Sequence, residues 1–242
     1  MNFLTRLWLD NKLKRTLAPN RCRLDSGIRG LRGQVALTLE NDVKLHDIKV
    51  FAPQVKIGAH TDIVSGSELH HVSEIGRYCS ISSRVVIGQD PRSHPLDWIS
   101  TSHAVIASRL NQQPEAQSQN AEYHTQPTTV GHDVWVGRDV IIMKGVTVGT
   151  GAVVGAQSLV NRDIPPYAIV AGSPAKIIRY RFDEPTRQAL LESRWWDYQL
   201  EALGHLSIEE PAALLDYLKQ GANLPAAKID TVTVSSDPLR IV

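Results

Sequence analysis

Three histidines, His94, His103 and His124, fall within one polar, proline-bearing stretch between Ile87 and Val130. Imidazole titrates near neutral pH, so a histidine held at a reaction site can take the proton from an attacking hydroxyl or amine. His94 has the most specific surroundings, Gln89-Asp90-Pro91-Arg92-Ser93-His94-Pro95-Leu96-Asp97-Trp98-Ile99-Ser100-Thr101, too specific for a disordered tether. Asp97, Asp90 or a backbone carbonyl could fix its tautomer. An isolated histidine beside a proline would ordinarily be a surface side chain. His103 and His124 are the reserve candidates for the same role.

The elements that must position this segment announce themselves by a period of six. Apolar residues recur at Leu39, Leu45, Phe51, Ile57, Ile63, Leu69, Ile75, Ile81 and Ile87, and again at Val130, Val136, Ile142, Val148, Val154 and Val160. Neither a lone helix nor a lone strand has this repeat; six residues make a short strand plus a turn that restores the same facing, so the units must coil. A second inward column of small or β-branched residues follows four positions later, at Val55, Thr61, Ser67, Ser73, Cys79 and Val85, then Val134, Val140, Val146, Ala152 and Ser158. Two such columns fit a narrow prism. Gly58, Gly76, Gly88, Gly131, Gly137, Gly149 and Gly155 directly follow apolar positions, where a missing Cβ would let the backbone turn with φ > 0. Lys49 breaks the small column and predicts less regular first coils. The gap from Ile87 to Val130 is not a multiple of six, so the coil is interrupted there by a long loop of the kind that is usually functional or disordered. His60, His70, His71 and His132 sit at turn or outward positions, where a solvated or stacked side chain is expected.

The hexads resemble those of the hexapeptide-repeat transferase superfamily. That resemblance implies a mainly β fold, a left-handed parallel β-helix with an N-terminal cap, one protruding loop and C-terminal helices; the period alone argues for a solenoid but not for its hand. With three hexads to a coil, about five coils and a height of about 25 Å are expected. The pattern His-x-x-Asp-x-x-Ser-Thr from His94 to Thr101 is similar to the xenobiotic and polysaccharide acetyltransferase branch, in which the loop histidine is the catalytic base. The run from Val130 through Lys176 resembles the C-terminal half of galactoside, maltose and xenobiotic acetyltransferases. Those enzymes bind acetyl-CoA in the groove between neighbouring prisms. The resemblance implies that Arg138 and Ala156 line the pantetheine arm, with Trp135 beside the acetyl group or at a trimer contact, Asn161 and Arg162 further along, and Lys176 and Arg179 facing the nucleotide phosphates. Phosphates favour charge-assisted hydrogen bonds from Arg or Lys. It also implies a homotrimer with three intersubunit sites.

The function expected is acetyl-CoA-dependent O-acetylation of a sugar hydroxyl, in surface polysaccharide or glycan assembly. A streptogramin- or chloramphenicol-type xenobiotic acetyltransferase, or an amino-sugar N-acetyltransferase, keeps the chemistry and changes the acceptor; Trp195-Trp196-Asp197 with Arg181-Phe182 favours the antibiotic branch, while Ser102-His103-Ala104 departs from it. A γ-carbonic-anhydrase-like metal enzyme would need three histidines meeting at zinc, and no closely spaced pair on a coil supplies two, so no metal is expected. A non-catalytic scaffold would not require the His94 segment.

The chain divides by pattern into a basic cap segment (1–38), a solenoid (39–178) with an inserted loop (89–127), and a helical extension with a tail (179–242). Its 242 residues are 42% hydrophobic with a net charge of +1, which gives no global reason to expect nucleic acid. Residues 1–32 are different: Arg6, Lys12, Lys14, Arg15, Arg21, Arg23, Arg29 and Arg32 stand against Asp10 and Asp25, behind Phe3, Leu4, Leu7, Trp8 and Leu9. Such a segment either caps the open end of the solenoid or touches an anionic membrane. The chain has no apolar run long enough to span a bilayer and two cysteines, Cys22 and Cys79, with no support for a disulfide; a cytoplasmic location is expected. An acidic, proline-containing start predicts a helix over 183–203, with a second over 207–220 and no strong pattern in the last twenty residues.

Overall fold

The computed structural model describes residues 2–91, 94, 96, 98–112, 126–203, 209–219 and 224–236. The hexads form a parallel β-solenoid with three faces, visited in the order first, second, third on each turn. The first face stacks β1 (Arg23–Leu24), β3 (Lys44–Leu45), β6 (Asp62–Ile63), β9 (Ser80–Ile81), β12 (Trp135–Val136), β15 (Val153–Val154) and β17 (Ala168–Ala171) in parallel, closed by antiparallel β18 (Lys176–Tyr180). The second holds β4 (Lys49–Val50), β7 (Glu68–Leu69), β10 (Val86–Gln89), β13 (Ile141–Met143) and β16 (Leu159–Val160). The third holds β2 (Ala36–Glu40), β5 (Gln54–Ile57), β8 (Val72–Ile75), β11 (Thr128–Val130) and β14 (Thr147–Val148), edged by antiparallel β19 (Thr231–Ser235). Seven parallel strands on one face make about seven turns, not the five expected from the hexads. The first turn stacks at Arg23–Leu24, ahead of the hexad pattern, and the last, through Ile164 and β17, bends around prolines.

Both inward columns are buried almost throughout: Leu39, Leu45, Ile57, Ile63 and Leu69 are wholly inaccessible, as are Cys79, Val85, Val140 and Ala152. Polar members of the small column satisfy themselves within the stack, as buried groups must. The Thr61 hydroxyl donates to the Gly76 carbonyl (2.8 Å) and that of Ser158 to the Gly155 carbonyl (2.7 Å). Phe51 departs from the expectation. Val50 pairs with Leu69 and fills the interior, while Phe51 turns outward and stacks on His70 at 4.5 Å. A Phe ring is too large for a column otherwise filled by Val, Leu and Ile, and β4 absorbs the slip that Lys49 had flagged.

The glycines of the repeat also require correction. Of those predicted to need φ > 0 only Gly88 has it. The left-handed corner residues are instead Asp42, His60, Tyr78, Asp133, Gly151 and Tyr167 on successive turns between the third and first faces, and Gly66, Arg84, Asp139 and Gln157 between the first and second. Glycine is needed for proximity: a Cβ on Gly76 would lie 2.5 Å from the Gly131 carbonyl oxygen of the next turn.

Helix α1 (Phe3–Leu17), capped by the Asn2 side chain, lays Leu9, Leu13 and Leu17 over the first turn, so the expected cap is present. Its Asp10 accepts the Ile28 N–H (2.9 Å). Within the excursion, α2 (His103–Gln112) is helical. After the prism, α3 (Glu184–Ser193) starts at Asp183, whose carboxylate caps Thr186, and ends at Arg194 in the left-handed conformation. The expected continuous helix over 183–203 therefore breaks, resuming as a 3-10 turn (Trp195–Asp197) and α4 (Leu200–Leu203); α5 (Pro211–Lys219) follows. β19, in the tail expected to lack pattern, alternates exposed Thr and buried Val and covers the edge of β2. Both cysteines are buried free thiols.

Candidate functional site

The excursion leaves the prism where the second face meets the third. Its two roots are fastened to the stack. Gln89 pairs with Met143, and its carbonyl accepts the Lys144 N–H (2.8 Å); Thr128 donates its N–H to the His71 carbonyl (2.7 Å) and its hydroxyl to the Met143 carbonyl (3.0 Å). Asp90, the next residue out, lies 4.0 Å from the Lys144 ammonium. His71 sits directly above Gly88, and burial, reinforced by the Lys144 charge, pushes its imidazole below the usual value. His71, Asp90 and Lys144 thus gather at the base of the excursion. The sequence reading singled out Asp90 but assigned no role to His71 or Lys144. Counting in whole turns of eighteen residues places His71 over Gln89 at the root of the excursion, whereas Lys144 lies beyond the excursion and no such count reaches it.

His94 lies four residues beyond this base and is exposed. Asp97 and His124 lie outside the described residues, and His103 is exposed as the first residue of α2. Other described histidines are held by the scaffold. His46 lies between Asp25 (3.5 Å) and Asp62 (3.1 Å), His60 stacks on Tyr78, and His70 stacks on Phe51. His132 stacks on Trp196 at 4.7 Å while its Nδ1 accepts the Arg77 N–H; burial, then the Arg77 charge, pushes it down to about 4. Among the described residues no group of three or more His, Cys, Asp and Glu is placed to hold a metal ion.

The remaining expected residues distribute over the prism. Arg138 and Ala156 come together at the corner between the first and second faces, one directly over the other: the Gln157 N–H bonds to the Arg138 carbonyl (2.8 Å), and a Cβ on Gly137 would meet the Ala156 nitrogen. Both are exposed, with Arg138 3.5 Å from Asp139. Asn161 and Arg162 are exposed just after β16, on the corner from which the excursion leaves. Trp135 stands on the first face between Ser80 and Val153, 55% exposed. It lines a cavity of about 300 Å³ with Tyr78, Asp133 and Arg181. There burial raises the Asp133 carboxyl above its ordinary value, against the opposing pull of Arg181 2.8 Å away. Lys176 and Arg179 lie exposed on β18 at the end of that face. A single chain therefore brings Arg138 to Ala156, and sets Asn161 and Arg162 below the excursion, but places Trp135, Lys176 and Arg179 around the corner from His94.

The aromatics of the extension pack against the prism. Trp196 is buried against His132, and Trp195 tilts against Tyr78 at 5.1 Å. A charge network clamps them to the prism: buried Glu40 accepts from Arg77 (2.6 Å) and pairs with Lys56 (3.1 Å), and Arg77 reaches on to Asp197 (2.7 Å).

A prism of stacked hexads interrupted by one histidine-bearing excursion defines the class, a hexapeptide-repeat solenoid. The family model described as bacterial transferase hexapeptide (six repeats) matches residues 127–162. Over 131 residues, 53% of this chain and 61% of its relative, the sequence is 40% identical to chloramphenicol acetyltransferase of Escherichia coli. Over 129 residues, 53% of this chain and 71% of its relative, it is 33% identical to the probable macrolide acetyltransferase of Lysinibacillus sphaericus. The chain belongs to the hexapeptide-repeat acetyltransferases, and the left-handed coil is the family's. It spans about three fifths of the length of the chloramphenicol acetyltransferases it matches. Among solved structures it is similar to the polySia-specific acetyltransferase NeuO, with a TM-score of 0.43 and 28% identity over 61% of this chain and 65% of that one.

Proposed function

We propose that the protein is an acetyl-CoA-dependent O-acetyltransferase in which His94 is the general base and a sugar hydroxyl is the acceptor. The observation that carries this reading is the placement of His94. It is exposed on an excursion whose two roots are hydrogen-bonded into the stack. His94 takes the hydroxyl proton as the oxygen bonds to the thioester carbonyl carbon. The carbon–sulfur bond then breaks, and the proton passes to the departing thiolate. Exposed Lys176 and Arg179 supply the cations that a nucleotide phosphate requires, while Arg138 and Ala156 line the pantetheine arm along the corner, with Asn161 and Arg162 further along it.

One chain spreads these residues over different faces, which supports a homotrimer in which a groove between two copies joins the excursion of one to the exposed face of the next. The site would work in the cytoplasm, beside the acetyl-CoA supply. The test is thiol release from acetyl-CoA with a panel of sugars and nucleotide sugars. His94→Ala is expected to lower kcat by about a hundredfold or more while sedimenting as the wild type does; near wild-type turnover removes His94 from the mechanism. A stable, fully active monomer removes the intersubunit groove.

A second acceptor is favoured by the 40% identity to chloramphenicol acetyltransferase. In this reading the same base deprotonates a hydroxyl of a chloramphenicol-type drug. The same assay separates the two, since thiol release with the drug but with no sugar replaces the first acceptor by the second.

A further inference from the structure

Helix α1 carries two apolar faces, and the prism uses one of them. At 100° per residue, Leu9, Leu13 and Leu17 share the face buried against the first turn, only 1–2% exposed. Leu7, Leu4 and Trp8 fall on the opposite side, 47%, 73% and 60% exposed, with Phe3, 66% exposed, on the flank between the two faces. The same angular sector continues with Lys14 and Arg15, both exposed, and neither has an acidic partner among the described residues. Arg6 lies 5.3 Å from the Phe3 ring and Lys12 5.8 Å from the Trp8 ring, so cations flank the apolar patch. The helix has no acidic residue in its first turn, and its one carboxylate, Asp10, is engaged with Ile28 on the prism side. A capping helix needs a polar outer face; this one offers aromatic and aliphatic side chains followed by positive charge.

We propose that the outer face of α1 is a membrane-docking surface for anionic lipid, holding the prism by its first-turn end at the bilayer interface. The apolar side chains Phe3, Leu4, Leu7 and Trp8 enter the boundary between headgroups and acyl chains, while Lys12, Lys14 and Arg15 meet lipid phosphates, the arrangement of an interfacial amphipathic helix. Charge selects this occupant. Residues 2–32 carry eight Lys and Arg against two Asp in a chain of net charge +1, so two copies brought face to face through α1 would oppose like charge with like, whereas an anionic bilayer complements it. Docking needs no acetyl transfer and is measured independently of it.

The test is sedimentation of the full chain with sucrose-loaded vesicles of phosphatidylcholine, with and without phosphatidylglycerol, at increasing salt. The wild type is expected to bind phosphatidylglycerol vesicles at least about tenfold more tightly than phosphatidylcholine alone, and less as salt rises. The double variants Leu7→Asp/Trp8→Asp and Lys14→Glu/Arg15→Glu are each expected to lower that binding about tenfold or more while melting as the wild type does, because the altered side chains face solvent. Equal binding to the two vesicle types, or binding unaltered in either double variant, overturns the proposal. So does a lipid-free assembly of copies that Leu7→Asp/Trp8→Asp separates, which would assign the face to a second copy of this chain.

Discussion

His132 should make stability fall with pH in a window where carboxylates are still ionised. Its ring lies between Trp196, stacked at 4.7 Å, and the backbone of Arg77, whose N–H it accepts at Nδ1, so the folded chain holds it neutral. Burial first, then the neighbouring Arg77 charge, pushes it from the usual 6.5 to about 4. The unfolded chain therefore takes up a proton below 6.5 that the folded chain refuses until about 4. The stabilisation is whole above 6.5, drains away between these values, and is absent below them. At 1.36 kcal/mol per pH unit the full span is worth about 3 kcal/mol, and because water reaches part of the ring about half of that is expected. His132→Phe keeps the stack on Trp196 and removes the proton site; losing the Arg77 acceptor costs about 1 kcal/mol at every pH. The assay is denaturant unfolding of both proteins from about pH 7.5 to about pH 4.5, taking the difference in unfolding free energy at each pH so that shared carboxylates cancel. The wild type's advantage of about 1 kcal/mol at about pH 7.5 should therefore fall by about 1.5 kcal/mol on acidification, leaving the variant slightly the more stable. A pH-independent difference would show that His132 titrates normally and that the packing of Trp196 does not exclude its charge.

Three further outcomes follow from the same stack. Arg77→Met leaves the buried Glu40 carboxylate with only Lys56 and the Ala59 N–H, and should cost about 3 kcal/mol or more in denaturant unfolding; an unchanged midpoint would show that the network contributes nothing. Gly76→Ala drives a methyl against the Gly131 carbonyl of the next turn, whose backbone cannot yield without breaking register, and should lower stability by about 1–3 kcal/mol, with wild-type melting as the contrary result. Val234→Asp buries an unpaired carboxylate beneath β19 and should release that strand, read as faster amide exchange along Ala36–Glu40; retained protection would show that β2 needs no cover.

Much of the scaffold was legible because its signal is local and repeated. A residue type recurring every six positions states which side chains share an interior column, and the structure buries nearly all of them. The errors lie where the repeat meets its exceptions. The first turn lacks the hexad signature because capping residues replace it, and Phe51 looked inward because apolarity was weighed without volume. The repeat glycines were ascribed to φ when the actual demand is the closeness of the next turn's backbone. Thr231–Ser235 alternates Thr and Val but is too short to stand out from a tail, and its facing follows from the exposed edge of β2.

By itself the sequence determined the solenoid, the interruption after β10 and the segment that bears His94, because each is written in consecutive residues. The tertiary structure alone decided that His71, Asp90 and Lys144 meet at the base of that excursion, that Glu40 shares Arg77 with Asp197, and that α1 presents a second apolar face away from the prism. These are facts of stacking. Residues a whole turn or more apart touch only once the coil closes, and the outer side of a helix is known only when its other side has been buried.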